Sequence, residues 1–304
     1  MNYIYNVPFP GRITYGGTEI LKLVRRRFDE LGIKERILGT PFEQFLTESE
    51  LGFSPVLVHT LLQKKIEATV RGEIHFGIGG KRVRFGRLEY ALVSGMSYED
   101  GPTKAEQDER NNDGLITDHL NGVAGSKLSA LINAFTICRS PDAAFKLGLL
   151  VFVYGYLLGQ PANKAIEEWW QKFIYIIQDL PFFFKMPWGN LSWAETYSSL
   201  SVNLRHYHEM LQKKLKDKPD VAHKEAKYTL TGNLHTLHYW AYEAIPEIGM
   251  RFGSNQGIRV PRMHSWSSNV LIMGKDIEAV LNKKTVTFYY LSFINVFYII
   301  LEYW

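Results

Sequence analysis

The 304 residues contain a single cysteine, Cys138. An intramolecular disulfide is therefore excluded, and a reducing setting, nuclear or cytoplasmic, is expected. The opening MNYIYNVPFPGRITYGG has no basic segment followed by an apolar run, so no signal peptide is expected. Charge of one sign is also scarce: 35 Lys and Arg against 31 Asp and Glu leave +4, too little by itself to indicate nucleic acid. No helix-strand alternation marks a doubly wound sheet, and no fixed period marks a solenoid. Gly77–Gly80 lacks the Gly-Lys-Ser/Thr of a phosphate loop, and no Gly-x-Ser-x-Gly elbow occurs.

Aromatic residues, at 14%, are plentiful, and 46% hydrophobic with 22% charged residues describes a globular chain. The rings concentrate in YTLTGNLHTLHYWAYEAIP, Tyr228 to Pro246. Leu234, Leu237, Trp240, Ala241 and Ala244 recur at helical spacing, with Thr231 as the expected cap and Pro246 as the stop. Trp240, Tyr242, Trp188 and Phe173 are expected in the core, together with Leu150.

The remaining pattern is mainly α, a single multi-helix domain over 1–282 with one small antiparallel hairpin near 73–85. Residues 1–17 read as an irregular arm. Thr18 is the expected cap of a helix through Ile20, Val24 and Phe28 that Gly32 stops. Thr40-Pro41 with Glu43, Ser54-Pro55 and Ser140-Pro141 mark further helix starts, as does Ser126. The apolar stretch from Ala143 to Gly159 reads as a buried core helix and not a membrane span, since Lys146 interrupts it. Ala162 to Asp179 is expected to be helical, then Pro187-Trp188-Gly189 forms a corner. Ser192 with Glu195 reads as a capping box launching a helix through Leu200 to Leu215. Residues 97–113 form an expected mobile surface loop and 213–227 a charged one. Residues 253–268 read as irregular, and 271–281 as a last helix.

In the hairpin, Ile74, Phe76 and Ile78 alternate with His75 and Gly77, and Val83 and Phe85 with Arg82 and Arg84, about Gly79-Gly80. One face is then apolar and the other basic. Lys81, Arg82, Arg84 and Arg87 are the candidate nucleic-acid-binding set, although a solvated face explains them more simply.

Four pieces occur in order: HFGIGGKRVRFGRLEYALVSGM, PWGNLSWAETYSSL, YTLTGNLHTLHYWAYEAIP and VPRMHSW. From about Phe42 to Trp266 the chain resembles a plant domain of unknown function. That domain usually precedes a ubiquitin-like-protease (SUMO peptidase) domain in proteins of Mutator-like transposons. Asn233, His235 and His238 depart from the apolar residues the resemblance implies. It implies no catalytic residue and no cofactor. A non-catalytic binding or accessory domain is the leading reading, with protein or DNA as partner and no small-molecule substrate evident. A fragment of a SUMO-specific peptidase whose catalytic domain lies elsewhere is the alternative.

The residues themselves offer little chemistry. Cys138 lies in NAFTICRSPD without peptidase motifs and reads as a buried hydrophobe. His206 and His208 point to different helix faces; His235 and His238 share one but lack further ligands for zinc, so no metal is expected. The tail 283–304, with TVTFYYLSFINVFYIILEYW after Lys283-Lys284, is atypically apolar. It reads as translated non-coding sequence, an added core element or, least favoured, a membrane anchor.

Overall fold

The computed structural model describes residues 2–5, 7–47, 52–120, 127–219, 224–267 and 272–288, apart from the side chain of Trp169. Strand β1, Gly11–Thr14, leads into helix α1, Gly17–Glu30. Helix α1 starts at Gly16 without a side-chain cap; Thr18 lies inside it and points to His235 instead. Its buried stripe is Ile20, Leu21, Val24 and Phe28. A single turn, α2 (Glu43–Leu46), follows; Glu43 reaches back to the Gly39 amide at 2.7 Å, not to Thr40. Helix α3, Pro55–Leu62, begins as expected, with the Ser54 hydroxyl accepting from the Leu57 amide at 3.2 Å.

The hairpin is present as β3 (Ile74–Ile78) and β4 (Lys81–Phe85), paired Phe76 to Val83 and Ile74 to Phe85. It is not alone. Strand β2, Lys65–Ile66, makes it a three-stranded antiparallel sheet. Helix α4, Arg87–Ser94, closes at Gly95 in the left-handed conformation, as the sequence suggests.

The region 97–113 holds a short helix, α5 (Lys104–Asp108), because Thr103 and Glu106 cap each other's backbone. Helices α6 (Gly114–His119) and α7 (Leu128–Ile137) follow; Ser126 lies outside the described residues. Helix α8, Pro141–Phe152, is capped by Ser140 and runs into a wider turn through Leu157. From Ala144 to Phe152 every residue except Lys146 is buried, with α1 on one side and α7 on another. A helix apolar all round is a buried helix.

The expected helix over 162–179 shortens to α9, Glu168–Ile176. Its N-terminal part instead crosses α7, where the Ser129 amide donates to the Ala162 carbonyl at 2.8 Å. Pro181 does not end α9; it occupies the first turn of α10 (Leu180–Phe184), capped by Asp179. Helix α11, Trp188–Leu200, starts at Pro187, so Ser192 is an interior residue and no cap. Helix α12, Leu204–Asp217, is separate, capped by Asn203. The charged region 213–227 is thus helix to Asp217 and strand from Ala226.

That strand, β5 (Ala226–Thr229), pairs parallel with β1, from Gly11 with Ala226 to Thr14 with Thr229. The N-terminal arm therefore contains a strand. Helices α13 (Leu234–Ala244) and α14 (Pro246–Phe252) come next; α13 starts at Asn233, two residues after the expected Thr231. The irregular region 253–268 contains a small ladder of β6 (Ser254–Asn255) with β7 (Trp266–Ser267). Helix α15, Gly274–Leu281, is the last among the described residues. The fold is mainly α, as expected, and among the described residues it has three small sheets in place of one hairpin. The tail is described only to Phe288; the remainder of that expectation lies outside the described residues.

Candidate functional site

Helix α13 is where the four sequence segments meet. All of its residues are buried, including Trp240 and Tyr242. From the sheet, Phe76 and Phe85 each place a ring 5.4 Å from Trp240. From α11, Trp193 lies 5.5 Å from both Phe85 and Tyr90. The expected core residues Trp188, Phe173 and Leu150 are buried too; Trp188 touches Phe173 at 4.9 Å and its indole N–H donates to the Phe183 carbonyl.

The approach to α13 is fixed by close backbone contacts. Gly232 has φ +79 and its amide donates to the Leu158 carbonyl at 2.8 Å. A side chain there would collide with Thr196, and one at Gly159 would collide with Gly232. The Asn233 amide then donates to the Thr196 hydroxyl at 2.9 Å. Thr196 in turn donates to the Ser192 carbonyl, and Ser192 donates to the Leu157 carbonyl at 2.6 Å and meets the Tyr90 hydroxyl at 2.5 Å. Ser192 thus joins three segments by hydrogen bonds. Burial raises the Tyr90 phenol well above its ordinary range.

The two histidines of α13 face inward. His235 meets Thr18 at 3.2 Å and Tyr15 at 3.4 Å. His238 accepts from the Ser54 amide through Nδ1 at 3.0 Å, and desolvation pushes its pKa down to about 3. It is a neutral acceptor that holds the start of α3. Asn233 is fully buried.

At the far end of α13, Glu243 is enclosed by the VPRMHSW segment. Its Oε2 accepts from Arg262 Nε at 3.1 Å and Nη2 at 2.6 Å, and its Oε1 from the Trp266 indole at 2.5 Å. Glu243 and Arg262 are 3% and 7% exposed by side chain, so the pair depends on its hydrogen bonds to offset desolvation.

The candidate cations Lys81, Arg82, Arg84 and Arg87 are all exposed, and in β4 Arg82 and Arg84 alternate with buried Val83 and Phe85. The face is not free positive charge, however. Arg82 donates to His75 Nδ1 at 2.8 Å and to the Glu67 carbonyl at 2.6 Å, and His75 donates through Nε2 to Glu73 at 2.7 Å. Arg84 binds Glu89 at 2.8 Å and lies 3.7 Å from Glu73. Glu89 in turn accepts from the Gly86 amide at 2.9 Å, starting α4. Arg87 lies over the Tyr98 ring and Lys81 over that of Phe288. The sequence signals these cations but not the carboxylates that partner them.

Cys138 is buried, its Sγ 3.7 Å from the Ser140 carbonyl. His208 stacks on Phe9 at 4.7 Å and meets the Tyr5 hydroxyl at 2.6 Å, pinning the N-terminal arm, while His206 is exposed on another face. Among the described residues no group of three His, Cys, Asp or Glu could hold a metal ion, and no helix is long and apolar enough to cross a membrane. Sequence reading missed Lys65, which is buried and donates to the Leu200 and Val202 carbonyls. Nothing in LLQKKIEATV distinguishes Lys65 from Lys64 before the fold is known.

Residues 62–199 match the family model described as Domain of unknown function (DUF1985), a little under half of the chain. The match takes in the sheet, α4 and the helices through α11, and stops short of α13. No curated protein and no solved structure matches the chain.

Proposed function

We propose that the chain is a non-catalytic binding or accessory domain of a transposon-derived plant protein, of the kind that accompanies a ubiquitin-like protease. The match to a domain of unknown function and the four ordered segments support the ancestry. One observation carries the non-catalytic part. Several polar groups where the segments meet hold backbone or one another: Ser192 and Thr196 bind carbonyls, His238 Nδ1 the Ser54 amide, and Glu243 binds Arg262 and Trp266. A nucleophile needs a base beside it and room for substrate. Cys138 is buried against the Ser140 carbonyl.

Incubation with a ubiquitin-like vinyl sulfone probe is expected to leave Cys138 unmodified; covalent capture there overturns the reading. Sequencing of full-length transcripts tests the ancestry. A ubiquitin-like-protease domain in the same transcript is expected, and transcripts that consistently lack one refute the association and the peptidase-fragment alternative together.

Nucleic-acid binding through the hairpin is the second reading, favoured by the exposure of Lys81, Arg82, Arg84 and Arg87 along one edge. Phosphates there would compete with Glu73, Glu89 and His75 for the two inner guanidinium groups.

A further inference from the structure

A pocket of about 400 Å³ opens between β2, the start of β3 and the α11–α12 junction, with Tyr5, Lys65, Glu73, His75, Tyr197 and Arg205 in its wall. That volume is in the range of small-molecule sites. Lys65 is only 5% exposed. Its Nζ donates to the Leu200 carbonyl at 2.7 Å and the Val202 carbonyl at 3.0 Å, acceptors left open where α11 ends. Among the described residues no carboxylate lies within ion-pairing distance of it. The two carbonyls take two of the N–H bonds of Nζ, and they accept from an ammonium as well as from a neutral amine. Burial pushes the pKa of Lys65 down to about 8. Arg205, whose guanidinium lies over the Tyr5 ring, adds positive charge at the pocket wall.

We propose that Lys65 is a covalent capture site for small aldehydes and ketones bearing an acidic group, held in this pocket as imines. The Nζ lone pair attacks the carbonyl carbon and the C=O π pair moves to oxygen. The carbinolamine then loses that oxygen as water, with both amine hydrogens, as the C=N bond forms. No oxidant or reductant is consumed. If the imine is protonated, its one N–H still serves one of the two carbonyls, and the acidic group is drawn to Arg205. This capture is stoichiometric and does not rest on the reading above.

The test uses the full chain at pH 7 with glyoxylate, trapping imines with cyanoborohydride and mapping the modified lysines by mass spectrometry. Lys65 is expected to be modified about tenfold or more faster than the exposed Lys216 and Lys227, because a larger share of it is neutral. In denaturant that preference should vanish. Labelling of Lys65 in the folded chain no faster than that of Lys216 overturns the proposal. Arg205→Gln should lower glyoxylate capture several-fold and leave capture of propionaldehyde unchanged. Equal effects on both aldehydes, or none on either, overturn the preference for an acidic group. Lys65→Arg, which retains donors for both carbonyls, should abolish the adduct at this position.

Discussion

At the residue scale, Trp240 and His238 show two ways in which α13 holds the molecule. Trp240 is 1% exposed and wedged between Phe76 and Phe85. Trp240→Ala removes those ring contacts and leaves a cavity, so a loss of about 3–5 kcal/mol is expected in urea denaturation. His238 sets a pH dependence. Its pKa falls from an ordinary 6.5 to about 3 because burial disfavours the charged form. The unfolded chain therefore binds a proton that the folded chain does not, throughout the window between those values. Stability is full above about pH 6.5 and declines as pH falls toward 3, by about 2 kcal/mol between pH 7 and 5 from this group alone. Buried His59, held between Tyr228 and the Phe9 carbonyl, shifts in the same direction and adds to the loss. Urea midpoints at pH 7 and 5 measure the slope. His238→Gln keeps an acceptor near the Ser54 amide without a titrating proton and should flatten that slope; an unchanged slope assigns the acid loss elsewhere.

At the scale of elements, the hairpin separates what a sequence can announce from what it cannot. Strict alternation about Gly79-Gly80 reveals β3 and β4, because a strand's period of two is a local property. Strand β2 has two residues, too few to show a period, and β1 finds its partner β5 across most of the chain. Pairing of that kind leaves no local trace. Ser192 misleads for a related reason: with Glu195 it has the spacing of a capping box, yet Trp188 already starts α11 and the hydroxyl turns inward to Leu157. The basic face is legible as a row of cations, while its balance by Glu73 and Glu89 is not. If the hairpin binds DNA, changing Arg82 and Arg84 together to Ser should lower affinity at low salt and reduce the salt slope by about two. Loss of the contacts with His75, Glu73 and Glu89 should cost about 1 kcal/mol of stability, since Arg84 is half exposed and its ion pairs are screened. A chain that gives no gel shift at low ionic strength does not use this face for DNA.

At the scale of the whole molecule, the candidate site proves to be a junction of distant segments. The aromatic content of Tyr228 to Pro246 makes its central place legible. The polar joints are hidden, since Glu243 looks like any acidic residue near a helix end and Arg262 follows 19 residues later. Folding brings them together because Pro246 ends α13 and α14 turns the chain back, placing Gly249 against the Trp266 ring. Their pairing can be tested as a cycle. Arg262→Met leaves the Glu243 carboxylate buried with only the Trp266 indole as a strong donor, and a loss of about 3–5 kcal/mol is expected. Glu243→Gln strands the guanidinium, with a loss of similar order. The double variant removes both charges while the introduced side-chain amide still accepts from the indole, so it should lose much less than the sum of the single changes. A coupling of about 1–3 kcal/mol in the denaturation cycle is the expected sign of direct contact. Strict additivity would mean that the VPRMHSW segment is held on α13 by Trp266 and Met263 packing and that the buried ion pair contributes nothing specific. The cycle also bears on how far this unit extends. If the coupling is present, the segment 262–266 is docked on α13 through this pair in the folded state, beyond residue 199 where the family match ends.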